Sequence, residues 1–149
     1  MSADLMVSLL VPIALLVSAT FACLSGLHVY WACGGRQGIK AAIPELDGRP
    51  LFRPGIAGTL MVALLLAVAG MLVLERAAVG PGIVPPTISL WGTWAVATAL
   101  VGRAVGEFNY VGLFKRTRAT AFARLDTRLY SPLALALGLG AGIVAWGGG

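Results

Sequence analysis

The sequence predicts an all-α membrane protein: four transmembrane helices in a compact bundle, with an interfacial amphipathic helix before the fourth. Two observations carry this prediction. Of the 149 residues, 58% are hydrophobic and only 11% charged, with a mean hydropathy of +0.89; a soluble domain of this length has too little interior to hide so much apolar surface. In addition, ten of the eleven basic residues fall in two loops that separate long uncharged stretches. Arg36, Lys40, Arg49 and Arg53 crowd the first loop, and Arg103, Lys115, Arg116, Arg118, Arg124 and Arg128 crowd the second, leaving only Arg76 elsewhere.

A membrane helix requires about 20 mostly apolar residues, and four segments qualify within a single domain, 1–149. The first span covers about 5–30, with Pro12 near its start, where proline does least harm. Its flank lacks the positive residues of a secretory signal, and its uncharged stretch is too long for one, so it reads as an uncleaved first helix. The second span covers about 54–74 and closes with Glu75-Arg76. Gly80-Pro81-Gly82 and Pro85-Pro86 then make a short, stiff turn. The third covers about 87–110, because apolar periodicity continues past Arg103; at roughly 36 Å it carries Arg103 and Glu107 to the membrane edge. The fourth covers about 131–146, opening on Ser131 as N-cap with Pro132 at the first helical position. At about 22 Å it is short for a bilayer unless it is extended by, or joined to, the segment before it.

That preceding segment, 113–129, has Phe114, Arg118, Phe122, Leu125 and Leu129 at spacings of three or four, with basic residues around the apolar strip. It reads either as a helix lying in the headgroup layer or as a simple basic loop. Small residues recur every four positions: Ser18, Ala22 and Gly26; Thr59, Ala63 and Ala67; Gly102 and Gly106; Ala134, Gly138 and Gly142. Such stripes let membrane helices approach closely. Homodimerisation through a leftover stripe, or docking in a larger membrane complex, stays open.

The distribution of Lys and Arg sets the orientation. Loops 31–53 and 111–130 are expected in the cytoplasm and both termini outside. The net charge of +5 then belongs against anionic headgroups, so membrane lipids are the expected partners. Nucleic acid is not, since base-reading motifs and a polar surface are missing.

Most unusual polar residues map to one membrane depth. His28, Tyr30 and Trp31 end the first span on the basic side; Arg103, Glu107, Asn109 and Tyr110 end the third; Asp126, Arg128, Tyr130 and Ser131 lead into the fourth. Arg103 and Glu107 are four apart and would share a helix face, where intramembrane charges pair. The bland reading is mutual neutralisation. The sharper one makes Arg103 and Arg128, with Asn109, Tyr110 and Tyr130, the contacts of an anionic head group, and His28, Glu107 and Asp126 the proton-handling groups. As the only histidine, His28 equally suits a structural bond to a carbonyl. The tyrosines equally suit interfacial anchoring.

No metal or cofactor is expected. Cys23, His28 and Cys33 are spaced by five, about 140° of turn per step on a helix, so they share no face and build no zinc site. Two cysteines without a C-x-x-C pair give no redox motif. Two-histidine haem ligation would need a second histidine. P-loop, G-x-S-x-G and H-E-x-x-H patterns are absent.

His28-Val29-Tyr30-Trp31 with Gly34-Gly35, then Ile43-Pro44, Phe52-Arg53-Pro54-Gly55, and the run Phe122-Ala123-Arg124-Leu125-Asp126-Thr127-Arg128-Leu129-Tyr130-Ser131-Pro132 resemble a bacterial family of small four-span membrane proteins of unknown function. The resemblance spans nearly the whole chain and implies four spans in a bacterial inner membrane. It implies no activity, so no functional residue is carried over from it. A cysteine often follows the Ser-Pro-Leu in that family; here Ala134 stands there, which weakens a thiol-based role for the family site.

Three functions compete. The first is binding, or modification, of a lipid-like amphiphile in the cytoplasmic leaflet, with enzymatic activity open. The second is service as an accessory subunit of a membrane complex. The third is transport, which the lack of a mid-membrane carboxylate disfavours.

Overall fold

The computed structural model describes residues 3–46, 49–52, 54–106, 111–115 and 120–148. Four long helices dominate: α1 (Ala3–Ala32), α3 (Ile56–Arg76), α4 (Pro86–Val105) and α6 (Ser131–Gly147). Between the first two lie a single helical turn, α2 (Ile39–Ala42), and a two-stranded antiparallel ribbon, β1 (Glu45–Leu46) with β2 (Arg49–Pro50), pairing Glu45 with Pro50 and Leu46 with Arg49. A short helix, α5 (Ala121–Leu125), runs through a π-turn (Asp126–Tyr130) into α6.

The long helices form a ring in which α1 packs on α3, α3 on α4, α4 on α6 and α6 back on α1. Each long helix thus packs on the next in sequence, as in an up-and-down bundle. The core is built from Ala14, Val17, Phe21, Ala69, Val73, Ala97, Leu137, Ala141 and Val144. Phe21 is its largest side chain. Small residues make room around these side chains: Gly70 faces the Cβ of Phe21, and Gly140 faces Val17. Hydroxyls bind the helices to one another, Ser18 donating to the carbonyl of Gly70 (2.8 Å), Ser25 to that of Ala63 (2.8 Å) and Thr93 to that of Leu72 (3.1 Å). Large apolar side chains point outward all round, up to Trp146 at 81% exposure. That inside-out distribution suits a hydrocarbon solvent, and all four long segments are apolar enough to cross a membrane, consistent with a multi-pass membrane protein.

The expected small-residue stripes are only partly the packing faces. Ser18, Thr59, Ala63, Ala134 and Gly138 are buried, whereas Ala22, Gly26 and Ala67 face outward and Gly102 faces open space. Gly106 has another task. The third helix does not run to residue 110; it stops at Val105, because Gly106 adopts φ 89° and the chain turns away. Leu113 then returns to donate to the carbonyl of Ala104 at 2.9 Å.

The short fourth span is resolved by continuity. Phe122 to Gly147 forms one 26-residue apolar segment, about 39 Å of helix at 1.5 Å per residue. Ser131 therefore lies inside the helix rather than capping it, with φ −71° and ψ −44°. Pro132 can be accommodated there because the preceding turn is widened: Ser131 N–H donates to the carbonyl of Asp126, five residues back. A proline ring crowds the carbonyl four residues before it, and a π-turn relieves this. The helix expected over 113–129 is found only from Ala121 onward. Gly112 to Lys115 form a turn, residues 116–119 lie outside the described residues, and Phe122 is buried rather than interfacial.

At the opposite end, the Glu75 carboxylate accepts from the N–H groups of Gly82 and Ile83, both at 3.1 Å. Arg76 Nε donates to the carbonyl of Ala145 at 3.1 Å, tying that turn to the end of α6.

Candidate binding site

The basic end of the bundle is organised by Asp126. The π-turn carries it inward, and it is 0% exposed. Arg103 Nη2 donates to Oδ1 at 2.6 Å, and Lys115 Nζ donates to Oδ2 at 2.8 Å. Oδ2 also accepts from the Gly112 N–H at 2.8 Å and the Ser131 hydroxyl at 3.2 Å. Lys115, 2% exposed, further donates to the Gly112 carbonyl (3.0 Å) and to Thr127 Oγ1 (2.7 Å). One carboxylate thereby joins the end of α4, the 111–115 turn and the start of the last helix.

Two glycines make this possible. Gly106 and Gly112, at φ 89° and 99°, lie backbone against backbone: a Cβ on Gly106 would strike the Val111 carbonyl, and one on Gly112 the Gly106 Cα. Only that close return brings the Gly112 N–H and Lys115 to Asp126.

The sequence-based pairings are thus redrawn. Arg103 pairs with Asp126, and the helix expected to carry it on toward residue 107 ends at Val105. Glu107, Asn109 and Tyr110 lie outside the described residues. Asp126 is a counter-ion with both oxygens engaged, and His28 is not among its partners. Arg128 is exposed and lines none of the hollows described below. Lys115 is the residue that sequence reasoning missed. Its one signal was stoichiometric: residues 111–130 contain five basic residues and a single acid, Asp126.

Beside this cluster is a hollow of about 580 Å³. Its polar lining comes from Arg103, His28, Trp31 and Tyr130, and its apolar walls include Phe21, Leu66, Phe122 and Leu137. Residues of α2 and the loop after it, among them Ala41 and Pro44, close it on the loop side. Tyr130 Oη donates to the Ala41 carbonyl at 3.2 Å, and Trp31 Nε1 to the Gln37 carbonyl at 2.8 Å, so two ring side chains hold that cover. His28 Nδ1 lies 2.8 Å from the Leu24 carbonyl, and its ring meets Trp31 edge-on at 5.0 Å. Arg103 Nη1 is buried and has no hydrogen-bond partner among the described residues.

A second hollow of about 390 Å³ adjoins the first, sharing His28, Trp31, Ala42 and Phe52 and adding Thr59 and Val62. A larger hollow, about 910 Å³, is elsewhere: an outward groove along α4 and α6 reaching Leu9 and Leu10 of α1, with Thr98 and the two tryptophans Trp94 and Trp146 in an otherwise aliphatic and glycine lining. It brings no charged group together, so size alone does not make it the site. Among the described residues, no three of His, Cys, Asp and Glu come together as metal ligands. Cys23 and Cys33 are free and exposed.

A family model described as "Protein of unknown function (DUF3995)" matches residues 21–141. No curated protein and no solved structure matches the chain.

Proposed function

The chain belongs to this family of unknown function, and from that premise we propose that it is a membrane-embedded binding protein for an anionic amphiphile. The amphiphile is taken into the hollow at the basic end, in the cytoplasmic leaflet of a bacterial inner membrane. The observation that carries the reading is the hollow's division of labour. Its walls are largely apolar, while one guanidinium in its lining is anchored through Nη2 and keeps a buried Nη1 without a partner. A buried donor left unbonded costs about 1–3 kcal/mol, and a carboxylate or phosphate oxygen would recover it after a small rotation of the guanidinium toward the hollow. Arginine's fixed fork suits this double duty, one nitrogen for the protein's carboxylate and the other for a ligand's anion. An apolar cleft with few convergent polar groups is also the general form of a small-molecule site.

The test is native mass spectrometry of the purified chain, comparing wild type with Arg103→Lys. Lysine retains a charge for Asp126 but has no fork. Wild type is expected to retain an anionic amphiphile, and the variant to lose at least about tenfold in occupancy, since a hydrogen bond to a charged group contributes about 1.5–3 kcal/mol. Equal retention by a folded Arg103→Lys protein, or no amphiphile on wild type, sinks the reading.

A further inference from the structure

The histidine defines the ligand more narrowly. A carbonyl oxygen can only accept, so the 2.8 Å contact between His28 Nδ1 and the Leu24 carbonyl requires the proton on Nδ1. In the neutral ring, Nε2 is then a bare acceptor. Nδ1 is turned back against its own helix, which leaves the Cε1–Nε2 edge as the part of the ring directed away from it. No donor among the described residues is bonded to Nε2, and His28 lines both hollows at the basic end. Tyr130 and Trp31 are the other donors in the lining, and both are already committed to backbone carbonyls. Among the described residues, the lining therefore holds one buried donor without a partner, Arg103 Nη1, and two side-chain acceptors that accept from nothing, His28 Nε2 and the Tyr130 hydroxyl oxygen, of which only the histidine nitrogen has no other bond of its own.

We propose that the ligand is a hydroxylated anionic amphiphile, its anion on Arg103 and its hydroxyl donating to His28 Nε2. This rests on the reading of the hollow as an amphiphile site. A site built to accept from a hydroxyl discriminates against the analogue lacking it, because the acceptor is then left unpaired. A carboxylate or a phosphate would satisfy Arg103 equally; the hydroxyl is what His28 selects.

The test uses two probes of equal chain length: lysophosphatidate, and its deoxy analogue, the acyl ester of propanediol phosphate, which lacks only the hydroxyl. His28 is the only histidine in the chain, so an imidazole ¹⁵N spectrum of the purified, histidine-labelled protein in detergent reports Nε2 without ambiguity. Lysophosphatidate should bind about five- to tenfold more tightly than the deoxy probe, the worth of one neutral hydrogen bond, and should shift the Nε2 resonance while the deoxy probe does not. In His28→Phe the preference for the hydroxylated probe should vanish. Equal affinity for the two probes in wild type, with Nε2 unmoved by either, overturns the hydroxyl assignment and leaves the amphiphile reading intact. Failure of both probes to bind overturns the two together. Because the wild-type spectrum decides the matter, the result does not depend on the variant folding.

Discussion

Asp126 is the residue on which the basic end depends. Its carboxylate is fully buried and carries two cations, a backbone N–H and a hydroxyl. Replacing it with Asn would remove the carboxylate that Lys115 and Arg103 share, and removing one member of a buried ion pair costs about 3–5 kcal/mol. Asp126→Asn should therefore lower the unfolding midpoint in detergent sharply, and adding Lys115→Met should recover part of the loss. A double variant as unstable as the sum of its single variants would show that the two side chains are not coupled. At this scale the site was half legible. His28, Arg103, Asp126 and Tyr130 stand out in the sequence because polar groups at the ends of apolar spans are costly and seldom idle. Lys115 did not stand out, because a lysine in a basic loop has an ordinary solvated role, and nothing local reveals that a turn has folded it inward.

Glycines decide the matter at the scale of elements. Gly102 and Gly106 look alike in sequence, as a pair spaced for helix packing. Their surroundings are opposite: a Cβ at Gly102 meets nothing, whereas one at Gly106 strikes the Val111 carbonyl on a backbone with φ 89°. Gly102→Ala should be neutral or stabilising by up to about 1 kcal/mol, through helix propensity. Gly106→Ala should cost more than about 2 kcal/mol from backbone strain and collision and should release the 111–115 turn. Thermal melts of the two variants separate these outcomes, and equal melting would show that the α4 terminus does not depend on glycine. The α2 cover is a second element whose behaviour can be tested. Tyr130→Phe removes the bond to the Ala41 carbonyl, so hydrogen exchange over residues 37–44 should quicken while global stability falls by no more than about 1.5 kcal/mol. Unchanged exchange there would mean that the tyrosine does not hold the cover.

For the whole molecule, the polarity of the bundle follows from where its cations lie. If the basic end faces the cytoplasm, as proposed, Cys33, just beyond α1, should react with a membrane-impermeant maleimide only in inverted vesicles. Cys23, on the outward face midway along α1, should resist the reagent from both sides. Labelling of Cys33 in right-side-out vesicles reverses the orientation, and brisk labelling of Cys23 places that part of α1 outside the hydrocarbon.

The number of long apolar segments, their approximate ends and the grouping of polar residues toward one end are all readable from the chain. They follow from composition and from the length a bilayer demands, and these quantities are local. The joining of α5 to α6 could be anticipated only as one of several remedies for a short span, because the π-turn that accommodates Pro132 is a backbone adjustment with no compositional mark. Which charges meet was decided by tertiary structure alone. Spacing pointed to a partner one helical turn beyond Arg103, but a glycine with positive φ ends the helix at Val105, and Arg103 bonds Asp126, 23 residues away. The hollow beside them likewise exists only where four helices and a loop converge, and convergence of distant segments is not encoded in any one of them.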